Sequence, residues 1–363
     1  MNATFGIFLL AGSALTFLCA LMFTPAVAAV ARKTGAVDHP SGERKKHGRD
    51  VPLMGGLAIF LPLVVVLLLF VEQGVFDGVT FNPAIPARAI IGLLLGGAIL
   101  IIGGYLDDRY NLKPALQFTF PLAAALMAVG FGIHIPYVRS PFGDGILSFE
   151  AVRVALPFGS FLWPADPLTV IWLLVLMYTT KFLDGLDGLV TGLTGIAAIV
   201  MFFVALRPEV GQTATAILAM VIAGAFLGFL PWNWSPARVF LGEGGSLFAG
   251  YAIGILAVIS GSKVATTLLV LGIPLLDLIG VILQRVAHRL PPTRGDRSHL
   301  HFRLVDAGVS VPAVVLSLYA IALVFGLVGL FAQTRTKAVA FAVLVVLMIS
   351  VASSLYGSVR HKH

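Results

Sequence analysis

The chain has 363 residues, of which 58% are hydrophobic and 11% charged, with a net charge of +7 and a mean hydropathy of +0.99. A soluble domain has about a quarter of its residues charged, so the composition excludes one and reads as an all-α polytopic membrane protein. The basic excess points to a membrane surface and to anionic substrates, with no sign of nucleic acid. Cys19, the sole cysteine, rules out a disulfide or a cysteine zinc site within the chain.

A helix crosses the hydrocarbon core with about 20 apolar residues. Runs near 5–31, 54–71, 88–106, 115–133, 168–183, 189–206, 212–230, 245–260, 264–284, 311–332 and 338–356 meet or approach that length, which predicts about 11 transmembrane helices, with 10 as the alternative count. The first run contains "PAVAAVA", similar to a signal-peptide cleavage site. No Lys or Arg precedes it, whereas Arg32 and Lys33 follow it, so it is expected to stay as a first helix with its N-terminus outside. Alternating the loops from there puts the C-terminus in the cytoplasm. All basic residues except Arg88, Arg139, Arg153, Arg207, Lys263, Arg335 and Lys337 then fall on the cytoplasmic side, as the positive-inside rule asks. The long outer segment, 134–167, alternates apolar and polar residues around "FGDG" and predicts one small external hairpin. Trp163 and Trp172 are expected at that interface as an aromatic belt.

No repeat or linker divides the chain, so residues 1–363 read as one integral membrane domain. Its polar residues gather in loops 32–53, 107–114, 181–188, 231–244 and 285–310. All five lie on one face of a topology drawn only from hydropathy and Lys/Arg position, which argues for a single assembled site.

Asp107 and Asp108 end the third helix, where an anion faces the unfavourable end of the helix dipole. Their bland reading is a pair of juxtamembrane charges. Asp184 and Asp187, three apart in "KFLDGLDGLVTG", share a face if the segment stays helical. Gly185 and Gly188 would let a bulky anion or its metal approach the backbone, and a plain turn is the alternative. Glu243 in "LGEGGS" lies just before the eighth run, where the glycines could form a nest of N–H groups for phosphate or the Glu could simply meet a helix N-terminus. In the last loop, His299 and His301 stand two apart among Arg294, Arg297 and Arg303. Such a loop also suits anionic lipid, as do Arg44, Lys45, Lys46 and His47 of the first loop. Carboxylates facing these cations suit Mg²⁺ or Mn²⁺, and the cations suit phosphates. Asp277, two turns before Arg285, either faces the site or pairs within the bundle.

"DHPSGERKKHGRDVPLMGG", "LDD", "LDGLDGL", "FLGEGGS" and "DRSHLHFRLVDAG" together resemble the polyprenyl-phosphate N-acetylhexosamine-1-phosphate transferases, nearest the undecaprenyl-phosphate GlcNAc-1-phosphate transferase branch. The sister phospho-MurNAc-pentapeptide translocases typically have a "GTPTMGG"-like first loop and a triple histidine, where this chain has "DVPLMGG" and "HLHF". The resemblance implies Mg²⁺-dependent transfer of a sugar-1-phosphate from a UDP-sugar to undecaprenyl phosphate, releasing UMP. It also implies a bacterial inner-membrane enzyme that works at the cytoplasmic face in envelope polysaccharide synthesis; a homodimer is compatible with it. Carried over, Asp107 and Asp108 look like the acidic pair near the acceptor phosphate, one of them a candidate for the base. Asp184 and Asp187 would serve the nucleotide and metal pocket, and Glu243 the metal. Arg297, His299 and His301 would bind diphosphate or sugar, and Arg44, Lys45 and His47 the phosphates. The chain departs from the family at two positions, Glu243 for the usual Asp and Lys181 for the usual Asn; Lys181 is a candidate substrate-binding residue, expected to hold a donor phosphate or to pair with Glu243 or Asp184. A membrane transporter and a non-catalytic relative are the rival classes; the former predicts carboxylates at the bilayer midplane and paired repeats.

Overall fold

The computed structural model describes residues 3–39, 50–77, 85–140, 145–156, 159–261, 263–289 and 298–360. Among these the protein is helical, with helices α1 (Ala3–Thr34), α2 (Gly55–Glu72), α3 (Ala87–Tyr110), α4 (Pro114–Gly130), α5 (Ala165–Leu183), α6 (Leu189–Leu206) and α7 (Thr213–Asn233). There follow α8 (Gly242–Ile259), α9 (Val264–Val270), α10 (Gly272–Ala287), α11 (Leu300–Asp306), α12 (Val311–Phe331) and α13 (Thr334–Arg360). Ten of the eleven predicted apolar runs each fall largely on a single helix. Among the described residues eight helices are long and apolar enough to cross a membrane, and α4 is a shorter apolar helix of 17 residues. Large apolar side chains such as Leu10, Met22, Leu283 and Phe331 are exposed. On this scale that would be a liability in water, but it is the ordinary lipid face of a membrane protein.

The ninth run differs from expectation. One helix over 264–284 was predicted, and the structure breaks it at Leu271 into α9 and α10, bent by 78°. Pro274 is the cause: it has no N–H for the carbonyl of Val270, and its ring crowds that carbonyl. After the bend α10 is amphipathic, with Leu275, Leu278, Val281 and Arg285 buried and Ile279, Leu283 and Val286 exposed.

The outer segment also differs. Two small hairpins replace the single one predicted: β3 (Tyr137–Arg139) pairs antiparallel with β4 (Ile146–Ser148), and β5 (Glu150–Leu156) with β6 (Gly159–Pro164). The strand pair over 150–164 went unpredicted beside the stronger "FGDG" signal. Trp163 on β6 is 53% exposed, whereas Trp172 is 8% exposed and its indole Nε1–H donates to the Gly254 carbonyl at 3.1 Å. Trp172 is therefore a core residue of α5 and no part of an aromatic belt. On the opposite face, a two-residue pair β1 (Val37–Asp38) and β2 (Val51–Pro52) closes the base of the first polar loop.

The bundle is built around α8, the most enclosed span, which packs on α3 and α5. In a membrane there is no hydrophobic drive between helices, so close approach depends on small residues. A β-carbon on Gly104 of α3 would overlap the backbone of Gly244, and one on Gly245 would come within 2.7 Å of the Gly56 Cα of α2. The glycines of "GEGGS" thus serve helix packing where a phosphate nest was considered. Gly104→Val is expected to abolish recovery of folded protein, read by size-exclusion chromatography in detergent, because backbone cannot yield as a flexible side chain can.

Candidate active site

The carboxylates meet where three helices end or begin: Asp107 and Asp108 in the last turn of α3, Asp184 just past α5, and Glu243 in the first turn of α8. They lie at helix ends on one side of the bundle, which is unlike the midplane placement of the transporter reading.

Asp107 stabilises a turn. Its Oδ1 accepts the Leu112 N–H at 2.8 Å and the Gln117 Nε2–H at 2.9 Å, tying the start of α4 to the end of α3. Asn111 between them is left-handed, with φ 50°. Asp108 turns the other way, about 100° round the helix, and accepts the Glu243 N–H at 3.1 and 3.3 Å. It satisfies one of the orphan donors at the α8 N-terminus, where an anion is favoured. Glu243 in turn forms an ion pair with Lys181, whose ammonium also lies 3.5 Å from Gln117 Oε1 and 5.7 Å from the Tyr178 ring centroid.

The segment 184–188 is not helical, so Asp184 and Asp187 do not share a helix face. Asp187 Oδ2 accepts the Ala237 N–H at 3.0 Å and holds the loop that leads to α8. Asn233 supports the same corner: its Oδ1 accepts from the Gly188 N–H and the Thr191 hydroxyl, and its Nδ2 donates to the Val239 carbonyl. Gly188 has φ 80°, the left-handed region that suits glycine. The room left by Gly185 is filled by protein: a β-carbon there would sit 2.8 Å from His301 Nε2 and hard against Phe302. The expected open approach for a ligand at Gly185 is thus taken by α11.

Asp184 differs from the other acids. Among the described residues its carboxylate accepts no hydrogen bond. Burial, first, and then the negative charges of Glu243 and Asp187 push its pKa up to about 8. Asp108 likewise lies within electrostatic reach of Glu243, Asp107 and Asp184, and Glu243 of Asp107. Asp107, Asp108, Asp184, Asp187 and Glu243 thus form one acidic cluster, neutralised in part by Lys181.

The histidine loop docks on this cluster. His299 is 4% exposed and His301 2%. The His299 ring stacks between Phe182 of α5 and His301, at centroid distances of 5.9 and 5.7 Å. Its Nδ1 lies 2.7 Å from Asp277 Oδ2, while Asp277 Oδ1 accepts the Leu300 N–H at 2.9 Å. Asp277 therefore fixes the ring, and among the described residues the buried Nε2 has no hydrogen-bond partner. Arg44, Lys45, His47 and Arg297 lie outside the described residues. The stems of the first loop are nevertheless pinned to the site: the Phe240 N–H donates to Pro52, and the Gly55 and Gly56 N–H groups donate to Phe240 and Leu241, three and two residues before Glu243.

Among the described residues no three His, Cys, Asp or Glu side chains converge as a ready-made metal cage. Mg²⁺ does not require one; it commonly takes one or two carboxylates, with waters and substrate phosphates completing its octahedron. An all-oxygen cluster containing a carboxylate with no protein donor and a raised pKa fits that ion.

Gln117, Asn233 and Tyr178 were not singled out from sequence, because a lone amide or phenol in an apolar run carries no signal until the fold supplies its partner.

Residues 90–261, which carry Asp107, Asp108, Lys181, Asp184, Asp187 and Glu243, match glycosyl transferase family 4. The chain is 32% identical over 355 residues to a probable undecaprenyl-phosphate N-acetylglucosaminyl 1-phosphate transferase of Bacillus subtilis, covering 96% of this chain and 92% of that protein. It is 30% identical over 321 residues to a decaprenyl-phosphate N-acetylglucosaminephosphotransferase of Mycobacterium tuberculosis, covering 82% and 75%. Against an undecaprenyl-phosphate alpha-N-acetylglucosaminyl 1-phosphate transferase of Escherichia coli K12 it is 28% identical over 357 residues, covering 94% and 88%.

Proposed function

Because the chain belongs to glycosyl transferase family 4, among the polyprenyl-phosphate N-acetylglucosaminyl 1-phosphate transferases, we propose that it moves GlcNAc-1-phosphate from UDP-GlcNAc to undecaprenyl phosphate at the cytoplasmic face of a bacterial inner membrane. The observation that carries this reading is the acidic cluster with the histidine loop docked on it. Together they form one polar patch at helix ends, where the phosphate of a lipid whose chain lies in the bilayer would be met.

In the proposed reaction an oxygen of the lipid phosphate attacks the phosphorus that bears the sugar. A new P–O–P link forms, the bond to the uridylate oxygen breaks, and UMP leaves with that electron pair. The product is a lipid-linked diphosphate sugar for envelope polysaccharide. Such transfer rests on positioning and charge neutralisation. Asp184 and Glu243 would hold Mg²⁺, which when bound neutralises charge on the transferring phosphates. The lipid phosphate, with a second pKa near 6, is already largely ionised at neutral pH, so an obligatory base is not required. Asp108 keeps Glu243 in place through its N–H, and Asp187 keeps the 234–241 loop against the 184–188 turn. His299, oriented by Asp277, presents Nε2 to the donor phosphates or sugar. Arg44, Lys45, His47 and Arg297 would add positive charge there.

Incubating the purified chain with labelled UDP-GlcNAc, undecaprenyl phosphate and Mg²⁺ should release UMP and give an organic-extractable sugar lipid. Failure to release UMP with any UDP-N-acetylhexosamine would overturn the reading and favour a non-catalytic relative. Extractable product only with a MurNAc-pentapeptide donor would favour the translocase alternative.

His299→Ala should lower turnover at least tenfold, which is about 1.4 kcal/mol of transition-state stabilisation, with folded protein retained. Asp277→Asn should give a loss of the same kind and comparable size, because an amide has one acceptor oxygen: it cannot accept from both the Leu300 N–H and His299 Nδ1–H, and its NH2 would hold the ring in the other tautomer. Normal turnover in His299→Ala would remove this loop from the mechanism.

A further inference from the structure

We propose that Arg139, Arg207, Lys263 and Lys337 form a binding site for a phosphate group at the membrane face opposite the acidic cluster. Only seven of the 24 basic residues belong to that side of the topology, and four of the seven come together here. They arrive from separate elements: Arg139 ends β3, Arg207 follows α6, Lys263 precedes α9 and Lys337 lies in the first turn of α13. Tertiary folding, and no local charge run, has brought like charges together, although it would have been easier to spread them over the surface.

Lys263 and Lys337 each lie within electrostatic reach of Arg139 and Arg207, and Lys337 of Lys263. Burial, and then the positive charges of Arg139 and Arg207, hold Lys263 below the usual lysine range. Lys337 feels the charges of Lys263, Arg207 and Arg139. Among the described residues the acid that answers them is Glu209, whose Oε2 lies 3.2 Å from Arg207 Nε; its side chain is 69% exposed. The cluster keeps a surplus of positive charge in a partly buried place.

Two of the cations are held in position by neutral partners. Arg207 Nη1 donates to the Leu330 carbonyl at 2.5 Å, and Lys337 Nζ to the Thr266 hydroxyl at 2.9 Å. Neutral donors border the same place: Gln212 Nε2 and the Tyr137 hydroxyl lie 3.4 and 3.6 Å from where a β-carbon on Gly261 would be, two residues before Lys263. Two guanidiniums and two ammoniums, pre-placed and poor in counter-charge, suit a tetrahedral oxyanion with several acceptor oxygens. At a membrane boundary that group is the phosphate of an anionic lipid or phosphate free in the water.

The full chain, purified in a neutral detergent, can be tested by native mass spectrometry and thermal unfolding. The probes are phosphatidylglycerol, phosphatidylcholine and inorganic phosphate, compared with chloride at matched ionic strength. Phosphatidylglycerol should be retained and raise Tm, phosphatidylcholine should not, and the Arg139→Gln/Lys337→Gln double variant should lose both effects. Its transfer activity should stay unchanged, since the acidic cluster lies at the other membrane face. Glu209→Gln, at an exposed position that leaves folding intact, should retain the lipid more strongly. Equal protection by inorganic phosphate would support the site and identify the ligand as the free ion. The proposal is overturned if neither anion protects the wild-type chain more than chloride, or if the double variant retains phosphatidylglycerol as well as wild type.

Discussion

Asp184→Asn should abolish Mg²⁺-dependent transfer, with a loss of about 10³-fold, the scale of removing one electrostatic group from a preorganised site. The other acids of the cluster are engaged by the protein: Asp107 by Leu112 and Gln117, Asp108 by the Glu243 N–H, Asp187 by Ala237 and Glu243 by Lys181. Asp184 has a raised pKa, about 8, and among the described residues no protein donor. The sign of the pH effect follows. Below about pH 8 the metal-free protein holds a proton on Asp184, whereas the unfolded chain loses it near the ordinary carboxylate value. Folded stability without metal therefore falls as pH climbs from about 4 towards 8, by at most about 1.4 kcal/mol per unit. A divalent cation binds the ionised form and must displace that proton. Apparent Mg²⁺ affinity, measured by calorimetry on the purified chain with UDP-sugar, should rise up to about tenfold per pH unit between 6 and 8 and level off above. Asp184→Asn should bind weakly at every pH. A flat pH profile in the wild-type chain would remove Asp184 from the metal site.

How much of this was readable beforehand depended on the range over which each residue acts. The apolar runs needed only local hydropathy, and ten of the eleven each fall largely on one helix. The ninth is continuously apolar, so hydropathy alone does not show the break at Leu271. Trp172 was misplaced because an aromatic residue near a helix start looks the same from sequence whether it faces lipid or donates to Gly254 of a neighbouring span. The acidic residues were legible as candidates, since a carboxylate in such a chain is costly. Their individual duties were not: Asp107 stabilises a turn through Gln117, and Asp187 holds Ala237, fifty residues away. Gly185 and the glycines of "GEGGS" suggested room for a ligand, and the fold fills that room with Phe302, Gly104 and Gly56. Asp277, left open from sequence, acquired a role only when α10 and α11 placed it beside His299.

The Lys181–Glu243 pair gives the second large effect. Both side chains are mostly buried, at 19% and 17% exposure, and both positions depart from the residues usual in the resembled family. Glu reaches roughly 1 to 1.5 Å further from the backbone than Asp, by one C–C bond, while Mg²⁺ tolerates little distortion of its octahedron. Lys181 receives the displaced carboxylate and is itself steadied by Gln117 and Tyr178. Lys181→Asn alone leaves Glu243 uncompensated beside Asp107 and Asp108, and Glu243→Asp alone draws the carboxylate back and strands the ammonium. Each single change should lower transfer about tenfold or more. The double variant, Lys181→Asn with Glu243→Asp, should recover activity beyond the sum of the two, with a coupling within the roughly 0.5 to 3 kcal/mol found for residues in contact. Transfer assays across a Mg²⁺ titration read both the rate and the metal requirement of all four proteins. Strictly additive losses would mean that the two positions changed independently and that the ion pair adds nothing to the site. Full activity of Glu243→Ala would go further, and would take the metal away from α8 altogether.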